Sequence, residues 1–245
     1  MSTMIARGSR HSTGAKVTDT GSHGRLLQYG ADLMDDLLPD DDAPDLPLLH
    51  ERDYVVRAYV AAPDEILVRG VIHDVKPPGL LVEGDTAPLT MHHMVVELRV
   101  HYPSLDITAA HVSFDAYPQP MCPTIAAHYE SLVGLSIARG FTHQVRELFG
   151  GPRGCSHTTA LLQAMAPVAV QSWFGMARLS GGAGAEEGLK GDPLSIVRSA
   201  HRERNLNTCH IWAEDSELTQ MGQRGEAVPL PLPVLRRYAE LGRDG

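Results

Sequence analysis

Residues 121–176, MCPTIAAHYESLVGLSIARGFTHQVRELFGGPRGCSHTTALLQAMAPVAVQSWFGM, contain three helical patterns separated by two breaks. In the first, Ile125, Tyr129, Leu132 and Val133 recur at the spacing of an apolar helix face, and Pro123 suits a first turn that needs no amide donor. An α-helix of about three turns is expected there. Phe141, Val145, Leu148 and Phe149 repeat the spacing after Gly140, and Gly150-Gly151-Pro152 supplies a left-handed cap and a stop. The third pattern runs through Leu161, Leu162, Met165, Val168, Ala169 and Trp173, with Ser156, Thr158 and Thr159 as hydroxyl-bearing residues at its start. Pro167 is expected to kink or divide it.

The second break puts Cys155 and His157 at the mouth of this third helix. A thiol there meets unpaired amides and the positive end of the helix dipole, which favour thiolate and make it a better nucleophile or metal ligand. The plainer alternative is a turn in which Cys155 packs as a small apolar residue and His157 faces water.

Upstream the periodicity changes. The runs VVRAYVAA, EILVRGVIHDV, HHMVVELRVHY and DITAAHVSFDAY are rich in β-branched residues with partial alternation, and Pro63-Asp64, Pro77-Pro78-Gly79 and Pro103-Ser104 separate them. They predict an antiparallel β-meander. Strands followed by helices imply an α+β fold with the helical segment packed on the sheet. Downstream, LNTCHIWAE has the character of a late strand carrying Cys209 and His210, and Pro233 opens a C-terminal helix.

At the ends of this core the composition shifts. Residues 1–51 include LLPDDDAPDLPLL, whose prolines and clustered like charge predict a disordered acidic tail, with GRLLQYGADLMDDLL as a short amphipathic helix at most. A single domain over 52–245 is expected, interrupted by a flexible linker, SGGAGAEEGLKGD, at about 179–191 and followed by a short helix through Arg202. The formal net charge of -9 offers no basic stripe for a phosphate backbone, so nucleic acid is not an expected partner. Three cysteines and no basic-then-apolar leader point to a reduced, cytoplasmic protein. The longest uncharged apolar stretch, Leu161 to Met176, is too short and too polar to cross a bilayer, so no membrane partner is expected.

Taken together, APLTMHHMVVELRV, AYPQPMCPTIAAHYESLVGLSIARGFTHQVRELFGGPRGCSHTTALL and LNTCHIW resemble the bacterial family named domain of unknown function 2889, over about residues 54–215. The resemblance implies matched positions at His92, Cys122, Gly154, Cys155, His157, Cys209 and His210, and no reaction. The chain departs from that pattern at His93, where aspartate is usual, and at Thr158, where leucine is usual.

Histidines and cysteines thus fall at element edges. Some of His92, Cys155, His157 and Cys209 could converge on one metal; mixed thiolate and imidazole donors suit zinc, and an incomplete set leaves room for water. Without metal, Cys155, His157 and His92 are the candidates for nucleophilic or acid/base catalysis. Arg153 in the glycine turn and Tyr117 after the last strand are candidate substrate contacts. No glycine pattern follows a strand with phosphate-loop spacing, so no nucleotide cofactor is expected. The expectation is a small-molecule enzyme of hydrolase or lyase type, dependent on a metal or on Cys/His chemistry. The alternative is a non-catalytic module whose Cys/His cluster, with or without a structural metal, stabilises the fold.

Overall fold

The computed structural model describes residues 46–179, 205–226 and 228–242. The chain divides into two units, Met1–Pro47 and Leu48–Gly245, and the sheet and helices described here belong to the second. The acidic tail up to residue 45, its short helix, the linker and the helix through Arg202 lie outside the described residues.

Four strands, β1 (Glu51–Ala62), β2 (Glu65–Lys76), β3 (Leu89–His101) and β4 (Ile107–Ala116), form one antiparallel sheet in the order β1-β2-β3-β4. This is the predicted meander, and the prolines fall in its turns. Ile66, Val68 and Ile72 of β2 face the core beside Met94, Val96, Leu98 and Val100 of β3. Each such aliphatic side chain, when fully buried, contributes about 1.5–3 kcal/mol. The opposite face is less buried and carries ion pairs Arg69–Glu97 and Arg99–Glu65 across neighbouring strands, beside half-buried Leu67, Val71 and Val95. One wet face and one packed face is the usual state of an antiparallel sheet.

Helices α1 (Phe141–Phe149) and α2 (Ser156–Leu179) follow. Phe141, Val145 and Phe149 are the buried residues of α1, and Gly140 and Gly151 flank it at φ 66° and 60°, a region that favours glycine. Along α2 the buried face includes Leu161, Leu162, Met165, Ala169 and Trp173, and the helix runs through Pro167 undivided. It packs on β1, β2 and β3. A Cβ on Gly70 would lie 2.7 Å from Met165 Sδ and 3.1 Å from Leu161 Cδ1, so the missing side chain lets α2 settle close to β2.

Two expected elements differ. The three-turn α-helix after Cys122 is a 3₁₀ helix, Cys122–Leu132. Its buried residues Tyr129 and Leu132 are three apart, the period of that tighter helix, and Val133 turns outward into extended backbone at 48% exposure. The late strand is replaced by turns and a short 3₁₀ helix, His210–Trp212. Asn207, at φ 59°, bends the chain, and its side chain accepts from the Glu214 amide at 3.3 Å, closing a loop where a strand would run straight. Beyond it lie α3 (Glu217–Gln223), whose N-cap Ser216 accepts from the Thr219 amide, and the expected C-terminal helix α4 (Leu232–Glu240) with proline in its first turn. Among the described residues no helix is long and apolar enough to cross a membrane.

Candidate functional site

The inward alternation of β2, Ile66, Val68, Gly70, Ile72, has Asp74 as its next member. A carboxylate therefore occupies a core-facing position and is 0% exposed. On β3, His92 pairs with Asp74 across the ladder; the register shifts between Asp74 and Val75, so the stretch holding Met91 bulges beside the site. His157, in the first turn of α2, reaches the same carboxylate from above.

Three side chains thus converge. His92 Nδ1 is 3.0 Å and His157 Nε2 3.3 Å from Asp74 Oδ2, and the two imidazoles stack with ring centres 3.8 Å apart. One possible ligand atom from each of Asp74, His92 and His157 lies within 4.8 Å of the others, the convergence a metal ion needs. From β1, Arg52 donates Nε to Oδ1 at 2.5 Å and Nη2 to Oδ2 at 2.6 Å. His50 Nε2 stands 3.8 Å from Oδ1. Asp74 is sealed, His92 and His157 are partly covered, and Arg52 and His50 are about one third exposed, so the cluster opens toward the start of β1.

Burial alone would push the Asp74 carboxyl up, but the hydrogen-bonded Arg52 guanidinium, helped by the two imidazoles, holds it below the usual carboxylate range. Burial lowers His157, and His92 and Arg52 lower it further against the pull of Asp74. The cluster is therefore built around an ionised carboxylate and a His157 that resists protonation.

Oxygen counting exposes a tension. A carboxylate oxygen has two lone pairs, yet Arg52, His92 and His157 all approach Oδ2. Three nitrogens thus crowd one oxygen, and which imidazole nitrogens carry hydrogen depends on the tautomers. A cation would relieve this crowding, because both imidazoles can present lone pairs to it. A donor set of two nitrogens and one oxygen suits a borderline divalent transition ion.

Of the residues singled out from sequence, His92 and His157 meet here. Cys155 stands beside them, its Sγ 3.9 Å from His157 Nδ1, the ring nitrogen turned away from Asp74. Its backbone is held by the buried Tyr129, whose hydroxyl accepts the Cys155 amide at 2.8 Å. Cys209 lies on an exposed turn and is not among the residues that converge on Asp74. Arg153 donates to the Arg146 carbonyl at 3.1 Å, closing the end of α1, and Tyr117 lies half-exposed just beyond β4. Asp74, Arg52, His50 and Tyr129 were not singled out as site residues in the sequence. The signal for Asp74 was a charged residue continuing an apolar alternation.

No curated protein and no solved structure matches this chain. Residues 50–171 match the family described as "Protein of unknown function (DUF2889)", a span that takes in all four strands, both imidazoles and Asp74. Through that segment the chain belongs to the DUF2889 family.

Proposed function

We propose that Asp74, His92 and His157 hold a divalent transition ion and that the protein is a metal-dependent small-molecule enzyme of hydrolase or lyase type. The observation that carries this reading is the convergence of Asp74, His92 and His157, each with a ligand atom within 4.8 Å of the others and with both imidazoles crowding Asp74 Oδ2. When bound, such an ion acidifies a coordinated water or polarises a carbonyl.

The chain's own residues have separate tasks in this reading. Arg52 fixes the carboxylate through both oxygens and keeps it ionised. Cys155 Sγ, beside the far nitrogen of His157, orients that ring from outside the ligand set, as partners behind metal-bound imidazoles commonly do. At the open side, His50 and the exposed part of Arg52 offer positive and hydrogen-bonding groups to an anionic portion of a substrate.

Zinc is the ion we favour for this donor set, and a reducing, cytoplasmic setting is in keeping with three free cysteines. The test is Asp74→Asn and His157→Gln, with metal content and melting temperature measured together. Loss of metal from a protein that still melts cooperatively supports the reading; full retention of metal, or wild type purified without any, contradicts it.

A second reading rests on one observation, the 3.9 Å approach of Cys155 Sγ to His157 Nδ1 while His157 Nε2 faces Asp74. That order, thiol to imidazole to carboxylate, is a nucleophile, base and orienting acid. Thiol labelling separates the two: Cys155 that reacts with iodoacetamide much faster in wild type than in His157→Gln favours the nucleophile, and equal rates remove it.

A further inference from the structure

Across the wet face of the sheet, one residue out of phase with the buried cluster, runs a second row of the same chemistry. In the ladder Asp53 pairs with His73, and His73 with His93. On β4 His93 pairs with Ala116, and the register shift between His93 and Met94 leaves Asp115 bulged beside it, with its carboxylate near the His93 ring. The row therefore reads carboxylate, imidazole, imidazole, carboxylate over four strands.

The two imidazoles are placed to share an ion. Their ring centres are 5.4 Å apart at 67°, edge to face instead of stacked. Two imidazoles on one ion at metal–nitrogen distances of about 2.0–2.1 Å have centres roughly 4.5–5.3 Å apart, so a small rotation of either ring is enough. His73 Nδ1 stands 4.0 Å from Asp53 Oδ2 and His93 Nδ1 3.7 Å from Asp115 Oδ2, so each imidazole has a carboxylate on its Nδ1 side and its Nε2 on the other. His73 Nε2 lies 3.1 Å from Thr90 Oγ1, whose hydroxyl can turn away, and carboxylates behind Nδ1 are the usual outer partners of metal-bound imidazoles.

We infer that His73 and His93 form a second, surface cation site, taking an imidazole-preferring divalent ion such as Cu²⁺, Ni²⁺ or Zn²⁺ through their Nε2 atoms, with Asp53 and Asp115 as positioning residues. The side chains of both histidines are 36% exposed, so water completes the coordination and the ion exchanges readily. Two protein donors make this weaker than the buried group, and it stands independently of that group.

The experiment is equilibrium dialysis of the full, untagged chain against Cu²⁺, with the nitrogen hyperfine structure of the bound copper read by electron paramagnetic resonance. Three proteins are compared: wild type, the double variant His73→Gln/His93→Gln, and His157→Gln, each checked for cooperative melting. The inference expects the double variant to lose one equivalent and its two-nitrogen signal while keeping any equivalent that His157→Gln loses. If only the double variant loses copper, the surface site stands and the buried one falls. If the folded double variant binds as much copper as wild type, the surface site is overturned.

Discussion

The two faces of the sheet carry the same side-chain types in opposite surroundings. His73 and Asp74 are adjacent on β2, and His92 and His93 are adjacent on β3, yet Asp74 and His92 point into the core while His73 and His93 point to water. Strand parity alone makes the division. Inside, helix α2 closes over the pair and adds His157, Arg52 locks the carboxylate, and solvent screens the charges less. Outside, the same groups stay loosely arranged, with carboxylate to imidazole distances of 3.7–4.0 Å. Burial, and a third element brought down by packing, give the inner row a third converging side chain, His157, beside Asp74 and His92.

Removing the carboxylate from each face breaks the comparison most sharply. Asp74→Ala leaves Arg52 and two imidazoles without their partner, and should cost about 2–4 kcal/mol in urea unfolding; Arg52 is a third exposed, which keeps the loss toward the lower end of the range for a broken buried pair. Asp53→Ala on the outer face should stay within about 0.5 kcal/mol. Equal losses would mean that the buried cluster is not an energetic unit.

The close approach that brings α2 to the sheet is tested next. Gly70→Ala puts a methyl group against Met165 and Leu161 and should cost about 1–3 kcal/mol, with a matching fall in any metal affinity that depends on His157. Tyr129→Phe leaves the Cys155 amide without its partner and should cost about 1–2 kcal/mol by the same unfolding measurement.

Acid sharpens the contrast further. In the metal-free protein the folded Asp74 carboxyl lies below its unfolded value, so its contribution is present above pH about 4 and is lost as pH falls through the folded value. His157 is also lowered; the unfolded chain takes up its proton first, so stability begins to fall below pH about 6.5. Melting temperature against pH in chelator should show both losses in wild type, and His157→Gln should remove the earlier one. The smallest effect belongs to the outer face, where His73→Gln should shift stability by less than about 0.5 kcal/mol.

Much of the architecture was legible in sequence because its punctuation is local. β-branched runs cut by proline gave the four strands, and Phe141, Val145 and Phe149 between two left-handed glycines gave α1. The segment from Cys122 to Leu132 misled because apolar spacings of three and four are shared by two helix types, and burial of only Tyr129 and Leu132 selects the tighter one. LNTCHIWAE misled because β-branched and aromatic residues suggest a strand, while Asn207 adopts a left-handed turn that this composition hides.

The site was half legible. His92 and His157 drew attention as histidines at element edges, but Asp74 sat unremarked inside a strand. Its importance depends on register, which sequence shows only as a break in an apolar alternation. Which cysteines and histidines join the group around Asp74 is a matter of long-range packing, which no spacing along the chain encodes.

The most direct test of the central claim is the transition-metal content of untagged protein, by plasma mass spectrometry after gel filtration in metal-free buffer, for wild type and His157→Gln. The account predicts close to one equivalent in wild type and a loss of most of it in a variant that still melts cooperatively. Metal-free wild type, or a variant that keeps its full equivalent, would contradict it.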